Sequence, residues 1–343
     1  MKSQVVLAMA MAAVALPAHA QDKVSYASYG GAYQEGVRKA ILDHLPKDHN
    51  MEVTDYVLSG GIRDIRTKVK ANAVDIDVAE LYGGYCDIAA KEGLTIPLDY
   101  SKIPNAAGIP ENLRKPNWIG FTAYSTVLAY NTEVYGDNPP KTWADFFDVE
   151  KFPGARAMGT AYPSTNMEIA LLADGVPRDQ IYPLDMDRAM AKMAGFKDNI
   201  TVGWSTGAQA TQLASSQEVD MIAIWAARID AAIKDGAPFA YQMTDAVMDV
   251  ECLVVPANSP NPEGAMRLIN HLLDPAYQAN LPAHIPYGPL NQDAFTKGLI
   301  PADVAEKVVT SAENIKVQVI TDMGWWAENT AEAQSKWDAV MLK

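Results

Sequence analysis

The sequence predicts an α/β fold in two lobes, and three observations carry that prediction. Short β-like segments alternate with amphipathic helical ones along most of the chain, the pattern of parallel strands joined by helices. A continuous apolar and β-branched run over residues 121–130 interrupts the series, and Pro139-Pro140 opens a second one. The 343 residues also suffice for two cores, since a domain takes roughly 150 residues.

Taken in order, residues 24–28 read as a strand and Gly30-Gly31 as the turn after it. Residues 33–45 then place Val37, Ile41, Leu42 and Leu45 on one helical face. Residues 53–57 form the next strand, Ile62, Ile65 and Val69 mark a helix, and residues 74–81 a third strand. Past the proline pair, β-like segments fall at residues 155–160, 199–202 and 221–225. Residues 253–256 add another, ahead of an amphipathic helix over 263–273. The simplest scheme assigns 21–130 with 253–298 to lobe 1 and 131–252 with 299–343 to lobe 2. The chain then crosses a hinge near residues 130, 252 and 298.

Residues 1–20 read as a secretory leader. Lys2 supplies the positive start, residues 5–16 the apolar run, and Pro17-Ala18-His19-Ala20 an A-x-A-like cleavage site, which places the cut after Ala20. Residue 21 is Gln, so the lipid-bearing cysteine of a lipoprotein is missing. No later apolar run approaches about 18 residues, so the mature chain is expected to be soluble. Its formal charge is −14, or −15 once Lys2 is removed. Such a surface repels nucleic acid and anionic lipid and favours approach of cations. Cys86 and Cys252 are the two cysteines. An oxidising compartment permits their disulfide, a chain of this size does not require it, and the Cα distance that decides is not legible in sequence.

Some apparent motifs carry little. Gly203-Trp204-Ser205-Thr206-Gly207 matches the G-x-S-x-G nucleophile elbow, and His271 and His284 follow it. A serine hydrolase using Ser205 is therefore the rival from another class. Ser205 and Thr206 read better as capping hydroxyls for a helix starting near Ala208. His44 and His49 sit five residues apart with Pro46 between them, which keeps both rings off one helix face. No Tyr-Tyr pair, P-loop or dinucleotide glycine pattern occurs.

Several stretches resemble the spermidine/putrescine-binding proteins of bacterial ABC importers, an extracellular solute-binding family. Ser28-Tyr29-Gly30-Gly31-Ala32-Tyr33-Gln34-Glu35 is similar to its aromatic turn after the first strand, and Lys91-Glu92-Gly93-Leu94 to the end of its early helix. Thr142-Trp143-Ala144-Asp145-Phe146 resembles the start of its second lobe, and Glu218-Val219-Asp220 with Ile224-Trp225 its strand bearing a ligand-facing tryptophan. Leu253 to Asn258, Glu263-Gly264-Ala265 and Leu268-Ile269-Asn270-His271-Leu272-Leu273 follow its pattern almost intact, and Ile285-Pro286-Tyr287-Gly288-Pro289-Leu290-Asn291 extends it. The matches keep the family's order across most of the mature chain.

The resemblance implies a type II periplasmic binding protein fold: mixed sheets flanked by helices, with a hinge between two lobes that close on a ligand. It implies a periplasmic, monomeric protein that uses no cofactor or metal and hands a small amine-containing solute to an ABC permease in the inner membrane. Tyr29, Trp225, Glu251, Tyr287 and Trp326 fall where the family places ligand contacts, and Tyr82 and Tyr85 lie in a segment that contributes another. Chemistry agrees with the types: carboxylates replace ammonium hydration, and aromatic faces add cation–π contacts of about 0.5–2 kcal/mol each. Glu251 is the expected anionic anchor, with Asp249 two residues away on the same strand face. Two departures leave the cargo open. Residues 160–167 lack the acids that grip an amine in the family, the first being Glu168, and Asp249 stands where a second tryptophan is expected. Arg228, three residues after Trp225, would bind an anion bidentately, or pair with Asp230 or Asp249. An anionic or zwitterionic ligand is therefore the alternative within the binding class.

Overall fold

The computed structural model describes residues 21–341 apart from Tyr162 and Pro286. The leader and its break after Ala20 lie outside the described residues.

Among the described residues, ten strands build the frame: β1 (Asp22–Ser28), β2 (Met51–Val57), β3 (Val78–Tyr82), β4 (Ile119–Asn131), β5 (Arg156–Gly159), β6 (Val202–Trp204), β7 (Met221–Trp225), β8 (Phe239–Val254), β9 (Gly288–Pro289) and β10 (Val319–Ile320). They follow one hydrogen-bonded path, β2-β1-β3-β8-β4-β7-β5-β6, with β9 on β4 and β10 on β8. Both ends of the path are parallel, β1 with β2 and β3, and β5 with β6 and β7. The middle is antiparallel, where β8 meets β3 and β4, and β4 meets β7. That division follows from connectivity, because parallel neighbours need helical crossovers whereas β4 and β8 return on themselves.

Side-chain burial sorts the molecule into two lobes. One core draws on residues 24–123 and 248–290 together with Met323. Buried apolar residues of 127–247 and 309–337 pack around the other lobe's strands in two clusters. The face expected of the first helix is present: Val37, Ile41, Leu42 and Leu45 are all buried. The helix itself stops at Ala40, a 3₁₀ turn covers Leu42–His44, and Pro46 opens a new short helix, Leu45–His49.

Only β4 and β8 run through both lobes as paired strands. Their ladder changes register between Thr126↔Val247 and Leu128↔Gln242, which leaves Val127 opposite residues 243–246. Asp245 within this bulge has φ 60°, its N–H donates to the Val317 carbonyl at 2.7 Å, and its carboxylate pairs with Arg178 at 2.8 Å. A bulge loosens a ladder where it can bend. β10 lies against the same place, pairing Val319 with Val247 and Ile320 with Met248.

Candidate functional site

Strand alternation assembles the site on one face of the central sheet. Glu80 and Tyr82 on β3 lie opposite Leu253 and Glu251 of β8. On the other side of β8, Thr122 and Tyr124 of β4 face Glu251 and Asp249. The register shift between Gly120 and Thr122 re-aims β4 so that Thr122, rather than Phe121, joins this face. The intervening residues point the opposite way, and there Cys252 forms a disulfide with Cys86, their Cα atoms 6.3 Å apart. The bond ties the helix Tyr85–Lys91 to the strand that carries Glu251.

Four carboxylates are buried here: Glu80, Glu168, Asp249 and Glu251. Among the described residues, none of them enters an ion pair. Hydroxyls serve them instead. Tyr26, Ser28 and Tyr33 all donate to Glu80, Ser28 at 2.7 Å. Tyr29 donates to Glu251 at 2.7 Å, and Tyr124 to Asp249 at 3.4 Å. Burial first, and then the neighbouring carboxylates, holds the Tyr29 and Tyr33 hydroxyls far above their usual range, so they stay protonated donors.

The same desolvation pushes the acids up. Glu80 and Glu168 are raised to about 7 and Asp249 to about 6, each mainly by burial. Glu251 is raised well above the usual range by burial and then by the charge of Glu80. A raised folded-state pKa favours folding at low pH and loses that advantage as pH climbs through the folded value. The ligand-free protein is therefore expected to lose stability between about pH 5 and pH 8. His271 opposes the trend below its ordinary range, since burial and the stacked His49 ring hold it down to about 4. Four acids outweigh one imidazole. Urea denaturation across this range checks the sign, and a midpoint that rises steadily to pH 8 would overturn it.

Aromatic rings continue the site from one lobe to the other. Tyr85 meets Tyr82 at 5.1 Å between centroids, Tyr82 meets Tyr29 at 6.1 Å, and Tyr29 meets Tyr33 at 5.9 Å. Tyr287 lies 4.7 Å from Tyr33 and 5.4 Å from Tyr124. Tyr124 then reaches Trp225 of the second lobe at 5.9 Å, and Trp225 packs on Trp204 at 5.4 Å. Such separations suit edge-to-face contacts.

In the second lobe the helices Gly207–Ser215 and Ala226–Lys234 begin side by side. A Cβ on Gly207 would stand 2.5 Å from Nε of Arg228 and 2.9 Å from the Trp225 ring, so only glycine admits both. Arg228 is exposed, and among the described residues it pairs with neither Asp230 nor Asp249. Asp230 bonds Tyr241 instead. Thr206 caps the first of these helices, accepting from the Gln209 N–H at 3.2 Å. Ser205 has its backbone N–H on Gln209, whereas His271 stacks on His49, so no triad forms around it.

The structure thus brings together Tyr29, Tyr82, Tyr85, Trp225, Arg228, Asp249, Glu251 and Tyr287. Trp326 borders this wall: a Cβ placed on Gly84, next to Tyr85, would stand 3.2 Å from its Cβ, and the carboxylate it binds, Glu168, feels the charge of Asp249. Trp326 is buried in the second lobe, where its indole N–H donates to Glu168 at 2.8 Å and to the Tyr182 hydroxyl at 3.0 Å. Glu80, Tyr33, Tyr124 and Thr122 join the site without having been singled out from sequence. One signal was available, a lone glutamate inside the apolar strand Val78–Tyr82.

The comparisons with known proteins agree. The pattern of the bacterial extracellular solute-binding proteins matches residues 40–309. A gamma-aminobutyric acid-binding protein of Pseudomonas aeruginosa is 28% identical over 95% of this chain and 93% of its own. The spermidine/putrescine-binding periplasmic protein of Escherichia coli is 25% identical over 98% of this chain and 95% of its own. Among solved structures, an ABC transporter substrate-binding protein from Bradyrhizobium japonicum superposes with TM-score 0.90 at 37% identity, covering 93% of this chain and 99% of that one. The PBP MotA from A. tumefaciens B6, in complex with glucopine, gives 0.82 at 33% identity with the same coverage. All of these relatives are binding proteins rather than enzymes, and this chain belongs to the bacterial extracellular solute-binding proteins as the substrate-binding component of an ABC transporter.

Proposed function

We propose that the cleft captures a small zwitterion, a molecule with an ammonium group and a carboxylate, and delivers it from the periplasm to an inner-membrane permease. The observation that carries this reading is a charge separation across the aromatic wall. Among the described residues, buried carboxylates without a cation lie on one side of Tyr124, and an exposed arginine without an anion lies beside Trp225 on the other. An ammonium donates to Glu251 and Asp249, and the tyrosine faces cover its methylenes. A carboxylate accepts from Arg228 near two helix N-termini, whose partial positive charge adds to the guanidinium. The gamma-aminobutyric acid named for the P. aeruginosa relative carries both groups. A second ammonium, as in putrescine, would meet Arg228 unfavourably. Lobe closure about the β4–β8 bulge then shifts from the open to the closed population as the ligand bridges both sides.

The test is thermal unfolding of protein stripped of cargo, with γ-aminobutyrate, putrescine and succinate as probes. A true ligand at 100 times its dissociation constant adds about 2.7 kcal/mol. Replacing Arg228 with alanine is expected to weaken γ-aminobutyrate about 10- to 150-fold, the value of a hydrogen bond to a charged group, and to spare putrescine. Stabilisation by putrescine alone removes the carboxylate pole from the reading, and stabilisation by succinate alone removes the ammonium pole.

A further inference from the structure

The binding reading uses Glu251 and leaves Glu80 unexplained. Glu80 is wholly buried, yet it lies on the same sheet face, diagonal to Glu251 across the β3–β8 ladder. Diagonal neighbours stand about 7–8 Å apart, within strong electrostatic reach where water is excluded. Two carboxylates so placed, with no cation beside either among the described residues, cannot both stay charged in an empty site.

Hydrogen bonding decides which one ionises. Glu80 accepts from three hydroxyls, those of Tyr26, Ser28 and Tyr33, and so is satisfied as an anion. Glu251 accepts from Tyr29, with the Thr122 hydroxyl side opposite it on β4 and Asp249 as the next acid along β8. Tyr82, opposite Glu251 on β3, Tyr287, packed on Tyr33, and Tyr124, on Asp249, are phenols and bring no positive charge.

We propose that Glu80 sets the charge required of the ligand: the Glu80–Glu251 pair holds one exchangeable proton, carried on Glu251, which a ligand ammonium replaces. In that step the Glu251 O–H bond breaks, its proton goes to solvent, and the carboxylate accepts an N–H from the ammonium, so charge in the site is conserved. Glu80 does not touch the ligand. It acts through Glu251, and a neutral residue in its place would ease ionisation of Glu251, leaving burial and Asp249 to oppose it.

The inference rests on the ammonium part of the binding reading, and the experiments separate the two. Infrared spectra of ligand-free protein near pH 7 need no ligand. They are expected to contain a protonated-carboxyl carbonyl band that diminishes in both Glu251→Gln and Glu80→Gln; a band unchanged by either substitution overturns the proposal. Calorimetry of γ-aminobutyrate and of putrescine, in buffers of differing ionisation heat, then counts protons. Whichever probe binds is expected to release about one proton near pH 6, with affinity rising about tenfold per pH unit below the Glu251 pKa, and Glu80→Gln is expected to flatten that slope. Binding without proton release overturns this proposal and leaves the ligand reading standing. Failure of both probes overturns the ligand reading, and the infrared result still decides the proton.

Discussion

Replacing Glu251 with alanine is expected to weaken capture of an ammonium ligand by about 30-fold at least, because breaking a buried charge pair costs roughly 2–5 kcal/mol. The size follows from placement. Glu251 is buried on the long strand β8, its carboxylate is oriented by the Tyr29 hydroxyl, and no basic side chain competes for it. Calorimetric titration of the variant measures the loss. A change below about threefold would show that Glu251 is not the anchor, since a partner of this kind is worth more than 1 kcal/mol. Removing the Tyr82 ring, which is 41% exposed, should cost far less, about the 0.5–1 kcal/mol of a solvent-facing cation–π contact.

Loss of the Cys86–Cys252 bond is expected to be the other large effect. The cysteines are 166 residues apart. Loop-closure entropy for a span of that order gives about 5 kcal/mol, and native disulfides commonly contribute about 2–5 kcal/mol. Urea denaturation of the Cys86→Ala, Cys252→Ala double variant against the parent reads the difference directly, and superimposable curves would rule it out. Ligand affinity should fall as well. Tyr82 stays paired with Glu251 of β8, but Gly83, at φ 51°, and Gly84 join it to the helix that Cys86 anchors, so release of that helix loosens Tyr85 against Tyr82.

The fold was legible wherever apolar pattern and local chemistry agree. The run at residues 121–130 is the core of β4, Met221–Trp225 is β7, and the helix expected at 263–273 spans Pro262–Leu272. Boundaries moved where a side chain overrides the pattern. The third strand begins at Val78 rather than residue 74, because the Asp77 carboxylate accepts from the Ser25 and Asn261 N–H groups at 2.8 Å each and holds the preceding residues as a loop. The first half of β8 was hidden because Tyr241 to Asp245 reads as polar, although its ladder with β4 extends to Phe239. Of the site, residues beside recognisable segments could be named. Glu80 and Tyr33 could not be linked, because their hydrogen bond joins positions 47 apart and depends on the β1–β3 register. Trp326 illustrates the reverse, since its partner Glu168 is 158 residues away and only packing reveals that the pair is buried together.

The division of the cores has a consequence for biosynthesis. Residues 127–247 interrupt a lobe whose halves are residues 24–123 and 248–290. As the chain emerges, β3 waits with one side unpaired until β8 appears, and Cys86 waits as long for Cys252. A product truncated before residue 239 would carry that unpaired side as a template for pairing with other chains. Nascent forms of this protein therefore need shielding against aggregation through most of their synthesis, until residues 248–290 complete the lobe begun first.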